Sequence, residues 1–254
     1  RKEITDPFEK KRRKTTASKS ASTQPEPHEV FPMRLAIFDF DGTIYQGETL
    51  RLFLRVLARR GGRMRRAVRL YLARSVPAYL AYKLGLWRLS MMTLATRGLV
   101  KLMAGMDREE LEGFFRQCVE EAAPRFYPAA LARLEAHRAA GDRVVILSGA
   151  YALFLAAVAG RIGASAWIGT EILMKEGRCA GMGKHLIGPR KVEALRAYLD
   201  EQERAGTYFD LAEAYAYADG AHDLPLLLMV GHPVAVSPDS RLRREAARRG
   251  WEII

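Results

Sequence analysis

The feature that most constrains this chain is a short apolar strand running into two aspartates two residues apart. Leu35-Ala36-Ile37-Phe38-Asp39-Phe40 reads as the first strand, and Asp41-Gly42-Thr43 follows at once. Extended backbone points residues i and i+2 the same way, so Asp39 and Asp41 share one face at the strand exit. Carboxylates this close repel unless a cation or a shared proton offsets them. The pattern therefore asks for a divalent metal and leaves one carboxylate for chemistry. Phosphoryl chemistry is the first candidate.

Downstream, the hydrophobic pattern alternates. Arg143-Val144-Val145-Ile146-Leu147, Tyr215 to Ala218, Pro233 to Val236 and Trp251 to Ile254 have strand composition. Helical stretches fall around Ala129 to Ala140, Ala152 to Arg161, Arg190 to Gln202, Leu224 to Met229 and Arg241 to Arg249. Ala166 to Met174, the Glu176-Gly177 turn and Arg178 to Gly181 read as a β-hairpin. Strands alternating with helices predict an α/β fold, a parallel sheet with helices on both faces.

Residues 45–125 read as almost wholly helical, an insert above the crevice where such sheets bind ligands. Between Arg51 and Lys101 there are thirteen Lys or Arg and no Asp or Glu, with seven of the basic residues between Arg51 and Arg66. Gly61-Gly62 and Pro77 are expected to break these helices, and Asp107 with Glu110 forms a capping-box signature. The domain plan is a disordered basic tail over residues 1–32, a core over 33–44 and 126–254, and a helical cap over 45–125.

With 254 residues, 49% of them hydrophobic, the chain can bury a large core beside such an insert. A formal net charge of +12 suits an anionic partner. Cys118 and Cys179 make no disulfide framework and fit a reducing compartment. No apolar run approaches the length of a membrane span. No apolar segment follows the basic N-terminal residues, as a secretory leader requires, so the expected location is cytoplasmic.

The motifs, taken in order, resemble those of the haloacid dehalogenase superfamily. Asp39-Phe40-Asp41-Gly42-Thr43 resembles its DxDGT signature, and Ser148-Gly149 after an apolar strand resembles the second. Lys191 at a helix start resembles the third, and Asp219-Gly220-Ala221-His222-Asp223 the fourth. The resemblance implies a Rossmann-like core with an inserted cap of type C1, and Mg²⁺-dependent phosphomonoester hydrolysis. Asp39 would be the nucleophile, carrying an aspartyl-phosphate, and Asp41 the general acid and base. Thr43, Ser148, the Gly149 amide and Lys191 would bind the phosphoryl group. Asp39, the Asp41 carbonyl and Asp219 would hold the metal, with Asp223 orienting its waters or Lys191.

Each residue also has a plainer role open to it. Asp39 before a turn, Ser148 as a cap and Asp223 as the N-cap of the next helix are all ordinary. His222 stands where many relatives carry Asn or another small polar residue, and an exposed loop side chain is the reading taken.

Within the superfamily, the chain resembles subfamily IB, the phosphoserine-phosphatase-like group. Glu48 has the spacing of a residue that contacts the substrate amine there, and helix-terminal acid is its alternative. Arg97, with Arg88 as rival, lies near the place of a substrate carboxylate clamp. The expected partner is a phosphorylated small molecule. A contact of the basic cap with anionic lipid is the second expectation, and nucleic acid is not expected. A phosphotransferase, or an anionic-surface binding protein with a vestigial core, are the competing functions.

Overall fold

A computed structural model of the chain describes residues 32–83 and 91–254. The tail expected over 1–32, its last residue excepted, and Arg88 lie outside them. The described residues form one compact unit.

Six strands make a parallel sheet in the order β3-β2-β1-β6-β7-β8. They are β1 (Leu35–Phe38), β2 (Arg143–Tyr151), β3 (Ala166–Thr170), β6 (Tyr215–Ala218), β7 (His232–Ala235) and β8 (Glu252–Ile253). The apolar runs fail to alternate because both faces of the sheet are covered. Ala36, Phe38, Val144 and Ile146 enter one core, while Leu35, Ile37, Val145 and Leu147 enter the other. The first core is closed by α4 (Arg108–Ala122), α5 (Pro128–Ala139) and α6 (Ala152–Ile162); the second by α7 (Pro189–Arg204), α8 (Leu224–Leu227) and α9 (Ser240–Arg249). The chain winds outward from β1 through β2 and β3, then returns to the other side of β1 with β6. The strand order therefore switches between β1 and β6, where open α/β sheets bind ligands.

The expected hairpin begins later than its sequence pattern. Ala166–Thr170 pairs in parallel with β2 as a member of the main sheet, and only β4 (Ile172–Lys175) and β5 (Arg178–Met182) form the hairpin. Its Cys179 exchanges backbone hydrogen bonds with the helical insert, donating to the Met106 carbonyl at 2.8 Å and accepting from the Gly105 amide at 2.9 Å.

The insert contains α1 (Thr49–Arg59), α2 (Gly62–Lys83), α3 (Met91–Leu102) and α4. Gly61, at φ +74°, separates α1 from α2 as expected. Pro77 does not end α2, which continues to Lys83. A proline removes a single backbone donor, and the helix carries on through that loss. The capping box at Asp107 and Glu110 is complete. Entry to and exit from the insert lie side by side: the Tyr127 amide donates to the Ile44 carbonyl at 2.7 Å, and the Gln46 amide to the Arg125 carbonyl at 2.9 Å.

Candidate active site

The site forms where the β1 turn meets the end of β6. Gly42 holds a φ of +74°, and a Cβ there would stand 2.0 Å from Asp219 Oδ2. Only glycine gives both the left-handed turn and room for this approach. The turn closes when the Gly42 amide donates to the Tyr45 carbonyl at 2.8 Å.

Asp39 is buried, with its Oδ1 2.9 Å from the ammonium of Lys191. The same ammonium donates to Asp223 Oδ2 at 2.8 Å. Lys191 sits in the first turn of α7, where a cation opposes the helix dipole. Two buried carboxylates offset that cost. Burial raises the Asp39 carboxyl, but the Lys191 charge outweighs it and holds the group below its ordinary value. Burial alone would lower the lysine, and Asp39 and Asp223 together raise it instead. Asp223 itself is pushed up to about 6, by burial that Lys191 only partly offsets. It stands at the N-cap position of α8, as expected, but its side chain makes no capping hydrogen bond there and turns to Lys191 instead.

Asp41 occupies a different environment. Its Oδ1 accepts from the Thr49 amide at 3.0 Å and its Oδ2 from the Thr49 hydroxyl at 2.8 Å. Burial pushes its carboxyl up to about 7, against these hydrogen bonds and helped by the charges of Asp39 and Asp219. Asp219 is likewise raised to about 6, by burial and then by Asp39.

Ser148, where the β2–β3 register breaks, is buried and accepts from the Ala150 amide at 3.3 Å. The Gly149 carbonyl accepts from Thr170 Oγ1 at 2.8 Å, which fixes the turn. A cavity of about 390 Å³ exposes Asp39, Asp41, Ser148, Gly149, Lys191 and Asp219 to one space. Glu48 also faces it, paired with Arg51 at 3.0 Å. Thr43 is buried and does not line it, so the structure does not bring this expected phosphate ligand to the cavity.

Arg97 is not brought to the cavity. It is exposed, while Thr96 and Leu99 of the same helix line the wall. Each helical residue turns about 100°, so one position separates wall from solvent.

Three residues at the site carried no expected role. Thr49 anchors Asp41 across eight positions of sequence, and only its place at a helix start hints at it. His185, from the loop before α7, lines the cavity and bonds Thr93 of α3 at 3.0 Å through Nδ1. Burial, with Arg190 and Lys191, lowers it to about 4. His222 lines the cavity too and sets its Nε2 3.3 Å from Asp223 Oδ2.

Among the described residues the site thus gathers Asp39, Asp41, Asp219 and Asp223 around one buried cation, Lys191. Asp219 Oδ1 and Asp223 Oδ1 are buried with no protein hydrogen-bond partner. Ligand atoms of Asp39, Asp219, His222 and Asp223 lie within 4.8 Å of one another. Surplus negative charge and orphaned carboxylate oxygens fit a hard divalent cation such as Mg²⁺.

A parallel sheet with paired aspartates at its switch point defines a Rossmann-like hydrolase fold with a carboxylate-rich site. Comparison with known proteins agrees: the chain belongs to the haloacid dehalogenase-like hydrolase family, whose model matches residues 36–228. It is 31% identical over 156 residues to a histidinol-phosphatase of Neisseria meningitidis, covering 60% of this chain and 69% of that one. It is 29% identical over 221 residues to a phosphoserine phosphatase of Mycobacterium tuberculosis, covering 86% and 69%. A Bordetella pertussis protein of unknown function has a similar crystal structure, with TM-score 0.73 and 25% identity, covering 88% of this chain and 99% of that one.

Proposed function

We propose that this hydrolase is a Mg²⁺-dependent phosphomonoesterase working through an aspartyl-phosphate on Asp39. The observation that carries this is the divergence of the two aspartates. Lys191 keeps Asp39 ionised, while burial keeps Asp41 protonated up to about pH 7. Two carboxylates with opposed environments divide naturally into nucleophile and acid.

An Asp39 oxygen attacks phosphorus as the ester P–O bond breaks, and Asp41 gives its proton to the leaving oxygen. Asp41, now a carboxylate, takes a proton from water. That water's oxygen attacks phosphorus, the Asp39–phosphorus bond breaks, and inorganic phosphate leaves. Ser148, the Gly149 amide and Lys191 would hold the non-bridging oxygens, where charge gathers, a reading supported by their lining the same cavity as Asp39. Asp39, the Asp41 carbonyl and Asp219 would hold Mg²⁺, which supplies charge neutralisation at the phosphoryl group.

The substrate is a small phosphate ester with a free amine. Glu48 offers the anion for that amine, and Leu50, Phe53 and Leu99 form an apolar wall beside it. The relatives' names point to phosphoserine and histidinol phosphate, both of which carry an amine. With Arg97 off the cavity, a carboxylate clamp from that residue is not part of this proposal. Phosphotransfer to an alcohol differs only in the acceptor.

A second role rests on its own observation. On α2, Leu70, Leu72 and Val76 are exposed beside Arg63, Arg66, Arg69 and Arg74. Exposed apolar side chains interspersed with cations on one helix suit contact with the surface of an anionic bilayer. Among the described residues no helix is long and apolar enough to cross a membrane.

A turnover screen over phosphoserine, histidinol phosphate, sugar phosphates and an aryl phosphate tests the activity. Mg²⁺-dependent release of phosphate, fastest with an amine-bearing ester, is expected. No turnover of any phosphomonoester would refute it. Co-sedimentation with anionic but not neutral vesicles, weakened by salt, tests the second role.

A further inference from the structure

We propose that His222 is a nitrogen ligand of the metal centre and shifts its preference from Mg²⁺ toward Mn²⁺. This rests on the metal-centre reading above and concerns a side chain to which that reading gives no part.

Four observations converge. His222 offers a ring nitrogen in the same cluster as Asp39, Asp219 and Asp223, all within 4.8 Å of one another. Asp223 is 1% exposed, and its Oδ1 has no protein partner, so this buried group looks toward a ligand the protein does not supply. The 3₁₀ turn Ala221–Asp223 then sets His222 directly beside it, Nε2 3.3 Å from Asp223 Oδ2. Finally, the ring lies folded over Gly220, where an added Cβ would stand 2.4 Å from its Cε1 and 2.5 Å from its Nδ1. A side chain at 220 would drive the imidazole out of this position.

The consequence follows from ligand chemistry. A site of carboxylates, a carbonyl and water suits Mg²⁺ and Mn²⁺ alike, whereas an added imidazole nitrogen is bound better by a first-row transition ion than by Mg²⁺. One nitrogen among oxygens keeps Mg²⁺ usable but gives Mn²⁺ an advantage.

Mn²⁺, which is paramagnetic, serves as the probe on the full chain. Electron spin echo modulation of bound Mn²⁺ should show coupling to a ¹⁴N nucleus of a coordinated imidazole. In His222→Asn, Mn²⁺ should still bind but without that coupling, and the ratio of Mn²⁺ to Mg²⁺ affinity should fall about tenfold. Gly220→Ala, which displaces the ring without removing it, should weaken the same signal. Bound Mn²⁺ without nitrogen coupling in the unsubstituted chain overturns the inference and leaves the metal centre standing. So does coupling that persists unchanged in His222→Asn, which would place the nitrogen elsewhere. Failure of the unsubstituted chain to bind Mn²⁺ at all overturns both.

Discussion

Thr49 grips both oxygens of Asp41, one through its amide at 3.0 Å and one through its hydroxyl at 2.8 Å. The first residue of helix α1 thereby fixes the acid that stands two positions beyond the nucleophile. Both bonds favour the charged carboxylate, yet burial raises the group to about 7. Asp41 is held in one place and left near its point of ionisation, as a group that must give and then take a proton requires.

This sets the sign of a pH effect. The donor must be protonated, so kcat/KM should fall as pH rises through the ionisation of Asp41. Thr49→Val removes one donor that favours the charged form, which raises the pKa. The descending limb should then move up by about one pH unit, with kcat/KM lowered on the order of tenfold by looser positioning. A pH profile at saturating Mg²⁺ measures both, and an unmoved limb would separate Thr49 from the acid.

Gly42 makes a sharper demand. Gly42→Ala meets a φ of +74° and a clash at 2.0 Å with Asp219 Oδ2. The backbone strain alone costs about 1–3 kcal/mol. Displacement of Asp219 should lower kcat by roughly a hundredfold, given transition-state charge left unsupported. Denaturant melts and steady-state kinetics read the two effects separately. Unchanged kcat would mean that the approach of the turn to Asp219 is not needed.

His185 should report through stability. Its ordinary value of 6.5 is lowered to about 4 in the folded chain. Between those values the unfolded chain holds a proton that the folded chain refuses. Its contribution is therefore complete above pH 6.5 and lost as pH falls toward 4. Asp219 and Asp223, with raised values, act in the opposite sense over much of the same window. The difference between the unsubstituted chain and His185→Gln isolates the histidine. That difference should shrink by about 3 kcal/mol from pH 7 to pH 4 in metal-free protein, by urea unfolding. A difference independent of pH would contradict a buried neutral imidazole.

What could be read from sequence follows physical range. Asp39 and Asp41 declare themselves because two-residue periodicity acts locally, and strand patterns gave the core sheet. Lys191 and Asp223 could be named as members of a site. That one ammonium joins Asp39 to Asp223 becomes visible only once the sheet sets α7 beside β1. Thr93 and His185, 92 residues apart, leave no sequence trace of their contact. The β3 boundary was missed because Ala166 to Met174 is evenly strand-like. The edge of β2 captures its first five residues and the hairpin takes the rest. Arg97 failed on helical phase, since Thr96 and Leu99 turn to the cavity and their neighbour turns away.

The central claim is the covalent use of Asp39, and borohydride trapping tests it most directly. The enzyme is mixed with Mg²⁺ and a turned-over phosphate ester, quenched with borohydride and mapped by mass spectrometry. An acyl phosphate at Asp39 is reduced to homoserine, so that conversion should appear at residue 39, only with substrate, and vanish in Asp39→Asn. Continued turnover by Asp39→Asn, or trapping at another carboxylate, would contradict the account.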